Sequence, residues 1–201
     1  MPTSYAATVA IVRVITNTAA LGLGGAAMNP ASGVAFGAVG LALGVVHAVA
    51  VVVTKSYGND ARGVWLLIVD HTWSLPNTIL GSLFLTLNLV LGNRPDKTQS
   101  ESRSTVVLRD GLFPGFATTI GNVEAGTSKH TANHEYMHVV QARIFGPTYV
   151  PLVMVNYVLA TVLPYWLLYH DHQSKPIRSF KDYFMCGVYP HTWHEEWAYA
   201  V

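Results

Sequence analysis

Two histidines and a glutamate in the stretch TANHEYMHVVQARIFGP, Thr131 to Pro147, are the residues of this chain whose types and spacing most directly suggest chemistry. Residues four apart in an α-helix share a face, with Cβ atoms about 5–6 Å apart. His134 and His138 can therefore both present an imidazole to one tetrahedral cation, at Zn–N distances of about 2.0–2.1 Å. Glu135 sits one position round the helix, where its carboxylate can reach a water on that cation without ligating, as a general base must. The stretch is expected to be helical, because Gly146-Pro147 closes it as a stop signal and Thr127, Ser128 or Thr131 can cap its start. Gln141, seven residues on from His134, shares the face and is read equally as a group that orients a ligand or substrate and as an ordinary polar helix residue. With nine histidines in 201 residues, the pattern is expected by chance in on the order of 1% of chains of this composition.

Two imidazoles make only part of a site: a third protein ligand must come from elsewhere, leaving a fourth position for water. The C-terminal HTWHEEWAYAV offers Glu195, with Trp197 and then Ala198 following it. Together, His134-Glu135-x-x-His138 and Glu195-x-x-Ala198 resemble the arrangement of gluzincin-type zinc metallopeptidases, in which a downstream helix supplies a glutamate. Membrane members of that broad class, the CAAX-processing and HtpX-like proteases, also carry His-Glu-x-x-His beside membrane helices. The resemblance covers residues 134–138 and 195–198 and departs at Tyr199, where those families usually place an aspartate. Glu196, His191 and His194 therefore stay open as rival third ligands. The resemblance implies Zn2+ as cofactor, hydrolysis of a peptide or protein substrate with Glu135 as general base, and Tyr199, His191 or His194 beside the oxyanion. The Leu-Asp-Gly triplet of site-2-type intramembrane proteases does not occur. DHTWSLPNT and HEYMHVVQARIFGP are together similar to uncharacterised bacterial membrane proteins, which implies an integral protein of a bacterial cytoplasmic (inner) membrane and no particular activity.

The elements that must hold these residues are apolar. Charged residues make up 11% and hydrophobic ones 51%, with mean hydropathy +0.32, against about 25% charged in soluble domains. A formal charge of +1 with no basic run leaves no footprint for nucleic acid. The single cysteine, Cys186, excludes an intrachain disulfide and reads as a small buried apolar residue. Spans need roughly 20 apolar residues, and four are expected: Ala6 to Met28, Gly33 to Thr54, one within Gly63 to Gly92, and Tyr149 to Tyr169. The first is read as a retained membrane helix rather than a cleaved signal, and Pro76 should break the third. Lys and Arg fall almost evenly on the two sides, so orientation is not readable. Gly33, Gly37, Gly40 and Gly44 form one stripe down the second helix that admits a close neighbour, and His47 extends it, facing protein.

The fold class expected is mainly α: a multi-pass membrane bundle of about four spans forming one domain over 1–201, with three segments in 1–92. A polar loop follows over 93–133, with a β-hairpin signalled around Asp110-Gly111. Residues 134–201 carry the motif helix, the fourth span and the C-terminal glutamate. Asp70 and His71 end an apolar run and are candidates to support a ligand or bind substrate, with an interfacial cap anchored by Trp73 as the competing role. The expected function is a membrane-embedded zinc hydrolase. Two readings stand beside it: a small non-catalytic subunit packed among lipid and other membrane proteins, with a structural metal or histidine cluster, and metal-dependent chemistry on lipid.

Overall fold

The computed structural model describes residues 2–112 and 115–201. The protein is mainly helical with one small sheet, and its residues group into two compact units, Met1–Pro147 and Thr148–Val201.

The first unit opens with α1 (Thr3–Ala26) and α2 (Pro30–Thr54). Asn29 caps α2, its Oδ1 accepting from the Ser32 N–H at 2.8 Å, and Pro30 stands in the first turn, where its missing N–H costs nothing. The short link makes the helices antiparallel, and the glycine stripe is what they share. A Cβ on Gly40 would lie 2.4 Å from the Asn17 carbonyl oxygen, so only glycine permits this crossing. Gly33 and Gly44 come almost as close to Ala26 and Val14, while Gly37 faces Gly22 at ordinary contact distance. Beyond the stripe His47 is buried, as expected, with Nδ1 2.7 Å from Ser82 Oγ.

The region expected as a third span is two short helices, α3 (Ala61–His71) and α4 (Leu75–Val90). Pro76 lies inside the first turn of α4, and the break falls just before it, at Thr72–Ser74. At 11 and 16 residues and 1.5 Å per residue, these reach about 16 and 24 Å, short of a hydrocarbon core of about 30 Å. The expected fourth span also stops early, at Val162, because the chain leaves helical geometry at Leu163 ahead of Pro164. Among the described residues, three segments are long and apolar enough to cross a membrane, Thr3–Ala26, Pro30–Thr54 and Ala132–Val162. The count of four is thus corrected to three, and the third begins with the motif helix itself.

Between α4 and that helix lie α5 (Lys97–Arg103) and strands β1 (Val106–Leu108), β2 (Thr118–Ile120) and β3 (Val123–Ala125). The strand order is β1-β3-β2, with β1 parallel and β2 antiparallel to β3. A hairpin exists, but its turn is Gly121-Asn122, with Gly121 at φ +60°. Asp110-Gly111 instead leads out of β1 toward β2, which is not its neighbour; Phe113 and Pro114 of that expected hairpin lie outside the described residues. β1 and β3 are buried along their lengths and join Val9, Val51, Leu67 and Leu85 in one core.

The helix carrying the motif is α6 (Ala132–Phe145), and its C-terminal half is gripped by the α3–α4 elbow. The last carbonyls of a helix have no internal partner. Here Ser74 Oγ and Asn77 Nδ2 donate to the Ala142 carbonyl (3.0 and 3.1 Å), Trp73 Nε1 to Ile144 (3.0 Å), and Asn77 Nδ2 to Gly146 (2.7 Å). Gly146 ends the helix at φ +54°, and a Cβ there would strike the Trp73 ring. One turn back, Arg143 forms a two-pronged ion pair with Asp70, Nε to Oδ1 at 2.9 Å and Nη2 to Oδ2 at 2.8 Å, both residues buried. Tyr57 and Asn122 also donate to Asp70 Oδ2, and Arg13 Nη2 donates to the Tyr57 hydroxyl at 2.9 Å.

The second unit consists of α7 (Tyr149–Val162), a 3-10 turn (Tyr165–Leu168), α8 (Phe180–Asp182) running into a π-helical turn (Tyr183–Val188), a second 3-10 turn (Tyr189–His191) and α9 (Trp193–Tyr199). Trp166 is its buried centre, packed with Ala160 and Val188 and donating Nε1–H to the Ala160 carbonyl at 2.8 Å.

Removing one member of a buried ion pair leaves the other charge unpaired, at a cost of about 3–5 kcal/mol. Arg143→Met should lower unfolding stability in detergent by about that amount, and Asp70→Leu combined with Arg143→Met should lower it by less than Arg143→Met alone. Equilibrium unfolding of the variants measures both.

Candidate metal centre

On α6 the motif forms the geometry its spacing predicts. The rings of His134 and His138 stand edge to face, with centroids 4.8 Å apart and planes at 87°, and their Nε2 atoms lie 3.2 Å from one another. Two ligands of a tetrahedral cation with Zn–N bonds of about 2.0–2.1 Å are themselves about 3.3 Å apart. The Gln141 Oε1 accepts from His138 Nδ1 at 3.0 Å. That bond places the His138 proton on Nδ1 and gives Nε2 the tautomer that could ligate a metal. Gln141 is fully buried, with its Oε1 against the His138 ring.

Glu135 is buried at the start of α6, where a carboxylate is favoured by the helix dipole. Thr119 of β2 donates its hydroxyl to Glu135 Oε2 at 2.7 Å and lies 3.2 Å from the Glu135 carbonyl. Directly across the sheet from Thr119 is Glu124, fully buried, with Oε2 accepting from Arg103 Nη1 at 2.7 Å and no partner for Oε1. Arg103 Nη1 also donates to the Ala132 carbonyl at 2.9 Å, tying strand and helix together. Burial is the largest influence on Glu124 and pushes its carboxyl up to about 7, against the pull of Arg103 and with a further push from the Glu135 charge.

Asp70 and His71 are brought to the opposite side of α6. Burial would raise the Asp70 carboxyl, but the Arg143 guanidinium outweighs it, aided by hydrogen bonds from Arg143 and Tyr57, and holds Asp70 below the usual carboxylate range. His71 is pushed down to about 3, first by burial and then by Arg13, so it is neutral; its Nδ1 lies 2.6 Å from the Leu67 carbonyl. Neither residue is hydrogen-bonded to His134 or His138. Asp70 grips α6 from behind through Arg143, where Tyr136, Val140 and Arg143 line a cavity of about 420 Å³ with Trp65 and Trp73. That far-face cavity is separate from the imidazoles.

In the second unit, α9 buries His194, Glu195 and Ala198 on one face and exposes Glu196 and Tyr199. The Asn156 Oδ1 on α7 accepts from the Trp193 N–H at 2.9 Å and fixes the start of α9. His194 Nε2 is 3.6 Å from Glu195 Oε1, and the His194 ring packs edge-on to Tyr157. The Tyr189 hydroxyl is pushed well up, chiefly by burial and then by the Glu195 charge, so these two groups are neighbours. Glu196 is engaged by the Tyr169 hydroxyl at 3.1 Å, and His191 by the Gly187 carbonyl at 2.6 Å with its ring stacked on Trp166. Among the four third-ligand candidates, Glu195 combines burial with membership of the Glu-x-x-Ala face.

Sequence reasoning passed over Thr119, Glu124, Arg103 and Asn122. Short polar segments without periodicity carry no signal for which side chain meets a helix many residues away. The sequence matches no known family model, no curated protein and no solved structure.

An acid whose carboxyl is raised in the folded protein holds a proton there that the unfolded chain has lost, so stability falls as pH rises between the two values. The Glu124 contribution should decline from about pH 4.5 to about 7, with a slope approaching one proton. Glu124→Gln should remove that slope in unfolding curves taken across this range.

Proposed function

We propose that the protein is a membrane-embedded zinc-dependent hydrolase of the metallopeptidase type, with His134, His138 and Glu195 as the protein ligands and Glu135 as general base. The observation that carries this reading is the pair of Nε2 atoms 3.2 Å apart, one of them held in the ligating tautomer by Gln141. That separation, on a half-buried helix face, is close to the spacing of two nitrogen ligands on one tetrahedral cation. The donor set of imidazoles and a carboxylate suits zinc, and three protein ligands would leave a fourth position open for water, which favours hydrolysis over a purely structural role.

When bound, the cation would polarise a substrate carbonyl and lower the pKa of a water. Glu135 takes the proton of the attacking water and passes it to the departing amine. Gln141 keeps the His138 ring from turning. Tyr189, kept protonated, remains a hydrogen-bond donor beside Glu195. The membrane segments that flank the motif direct the choice of substrate toward membrane-associated peptides or proteins.

Glu135→Gln should retain zinc at wild-type stoichiometry and lose hydrolysis by about 10²- to 10⁴-fold. His138→Ala and Glu195→Ala should lose the metal itself, and Gln141→Leu should weaken zinc binding by about ten- to a hundredfold. Metal analysis alongside a peptidase assay on detergent-purified protein reads all four. Unchanged hydrolysis in Glu135→Gln refutes the catalytic role, and full zinc retention in Glu195→Ala refutes the ligand assignment.

A further inference from the structure

The sheet beside α6 looks at first like a small cover over one end of the bundle, yet its polar side chains converge on a single helical turn. β2 is an edge strand, and its middle residue, Thr119, reaches Glu135 twice, at the backbone carbonyl and at Oε2. A hydroxyl has one proton, and the shorter contact, 2.7 Å to Oε2, is where it goes. One strand over, Glu124 is the direct cross-strand partner of Thr119, and its ion pair with Arg103 is extended by the same guanidinium nitrogen to the carbonyl of Ala132. Helix, arginine, strand, strand and threonine thus close a ring that meets α6 at Ala132 and Glu135, three residues apart. Every member but Arg103 and Thr119 is buried.

From this ring we infer that Thr119 is a positioning residue for Glu135, aiming its carboxylate by a hydroxyl bond to Oε2 while the Arg103–Glu124 pair fixes the strand that carries it. The inference rests on Glu135 acting as general base. Its physical content is rotational. A glutamate side chain has three soft torsions, and a base must hold one oxygen within hydrogen-bond reach of the proton it removes. A hydroxyl donor on the other oxygen, delivered from a strand itself clamped to the helix, removes that freedom before substrate arrives. The hydrogen bonds of Thr119 go to Glu135, while His138 is held by Gln141. Loss of the hydroxyl should therefore separate metal binding from turnover.

The test compares wild type with Thr119→Val, Thr119→Ala, Thr119→Ser and Glu135→Gln, all as zinc-loaded full-length protein in detergent with casein as probe. Valine keeps the size of threonine without the donor, alanine removes the donor without any risk of crowding, and serine keeps it. A hydrogen bond to a charged group sets the expected fall in kcat for the valine and alanine variants at about ten- to a hundredfold. KM and zinc content should be unchanged, and serine should restore most of the rate. Wild-type kcat in both hydroxyl-free variants, with Glu135→Gln inactive, overturns the positioning role and leaves the general base standing. So does a serine variant as slow as valine. A wild-type casein rate in Glu135→Gln, or no casein cleavage by the wild type, overturns the general-base reading and this inference with it.

Discussion

The ion pair between Asp70 and Arg143 is the constraint around which the first unit is organised. Both groups are buried, and a charge held away from water must be matched by its partner and by hydrogen bonds to its remaining atoms. Asp70 achieves this with four donors: two from Arg143, one from Tyr57 and one from Asn122. The Tyr57 hydroxyl passes the network on to Arg13 of α1, and Arg143 passes it on to the Ser104 carbonyl beside the sheet. One carboxylate therefore ties α1, α3, the sheet and α6 to each other. Because the links are directional, α6 has one permitted rotation about its axis, and the face it turns away from Asp70 is the face that bears the two imidazoles.

This division of α6 follows from helix geometry. Residues 134, 138 and 141 fall on one side, while 136, 140, 143 and 144 fall on the other. The far side is packed and capped by the α3–α4 elbow, and the near side carries the two imidazoles. The elbow also accounts for the short helices on either side of it. Thr72–Ser74 leaves helical geometry so that Trp73, Ser74 and Asn77 can reach the terminal carbonyls of α6. A continuous third span could not supply those donors. The loss of one membrane crossing relative to expectation and the secure end of the motif helix are the same structural fact.

The parts of this architecture that repeat were readable from the sequence, and the parts that depend on a single long-range contact were not. The stripe of Gly33, Gly37, Gly40 and Gly44 announced a close helix pair, and the four-residue spacing of His134 and His138 announced a shared face. Hydropathy alone could not separate one long span from two short helices, since α3 and α4 are both apolar and the break is made by side chains that bond to a distant helix. The hairpin was placed at Asp110-Gly111 because that dipeptide is a strong turn former. The chain instead turns at Gly121-Asn122, where φ +60° is required, and uses β1 in a parallel pairing that no local signal encodes. Asp70 stood out in the sequence at the end of an apolar run, but nothing local indicated that Arg143, far along the chain, is its ion-pair partner. Thr119 and Glu124 illustrate the limit most plainly, being ordinary strand residues until the helix is laid beside them.

The central claim is that the near face of α6 holds a zinc ion through His134 and His138 with Glu195. X-ray absorption at the zinc edge of the metal-loaded, purified protein tests it most directly. The account predicts two imidazoles at about 2.0–2.1 Å with the remaining ligands oxygen, and loss of bound metal in Glu195→Ala. A purified protein that takes up no zinc, or a zinc shell containing sulfur or lacking the two imidazoles, would contradict it.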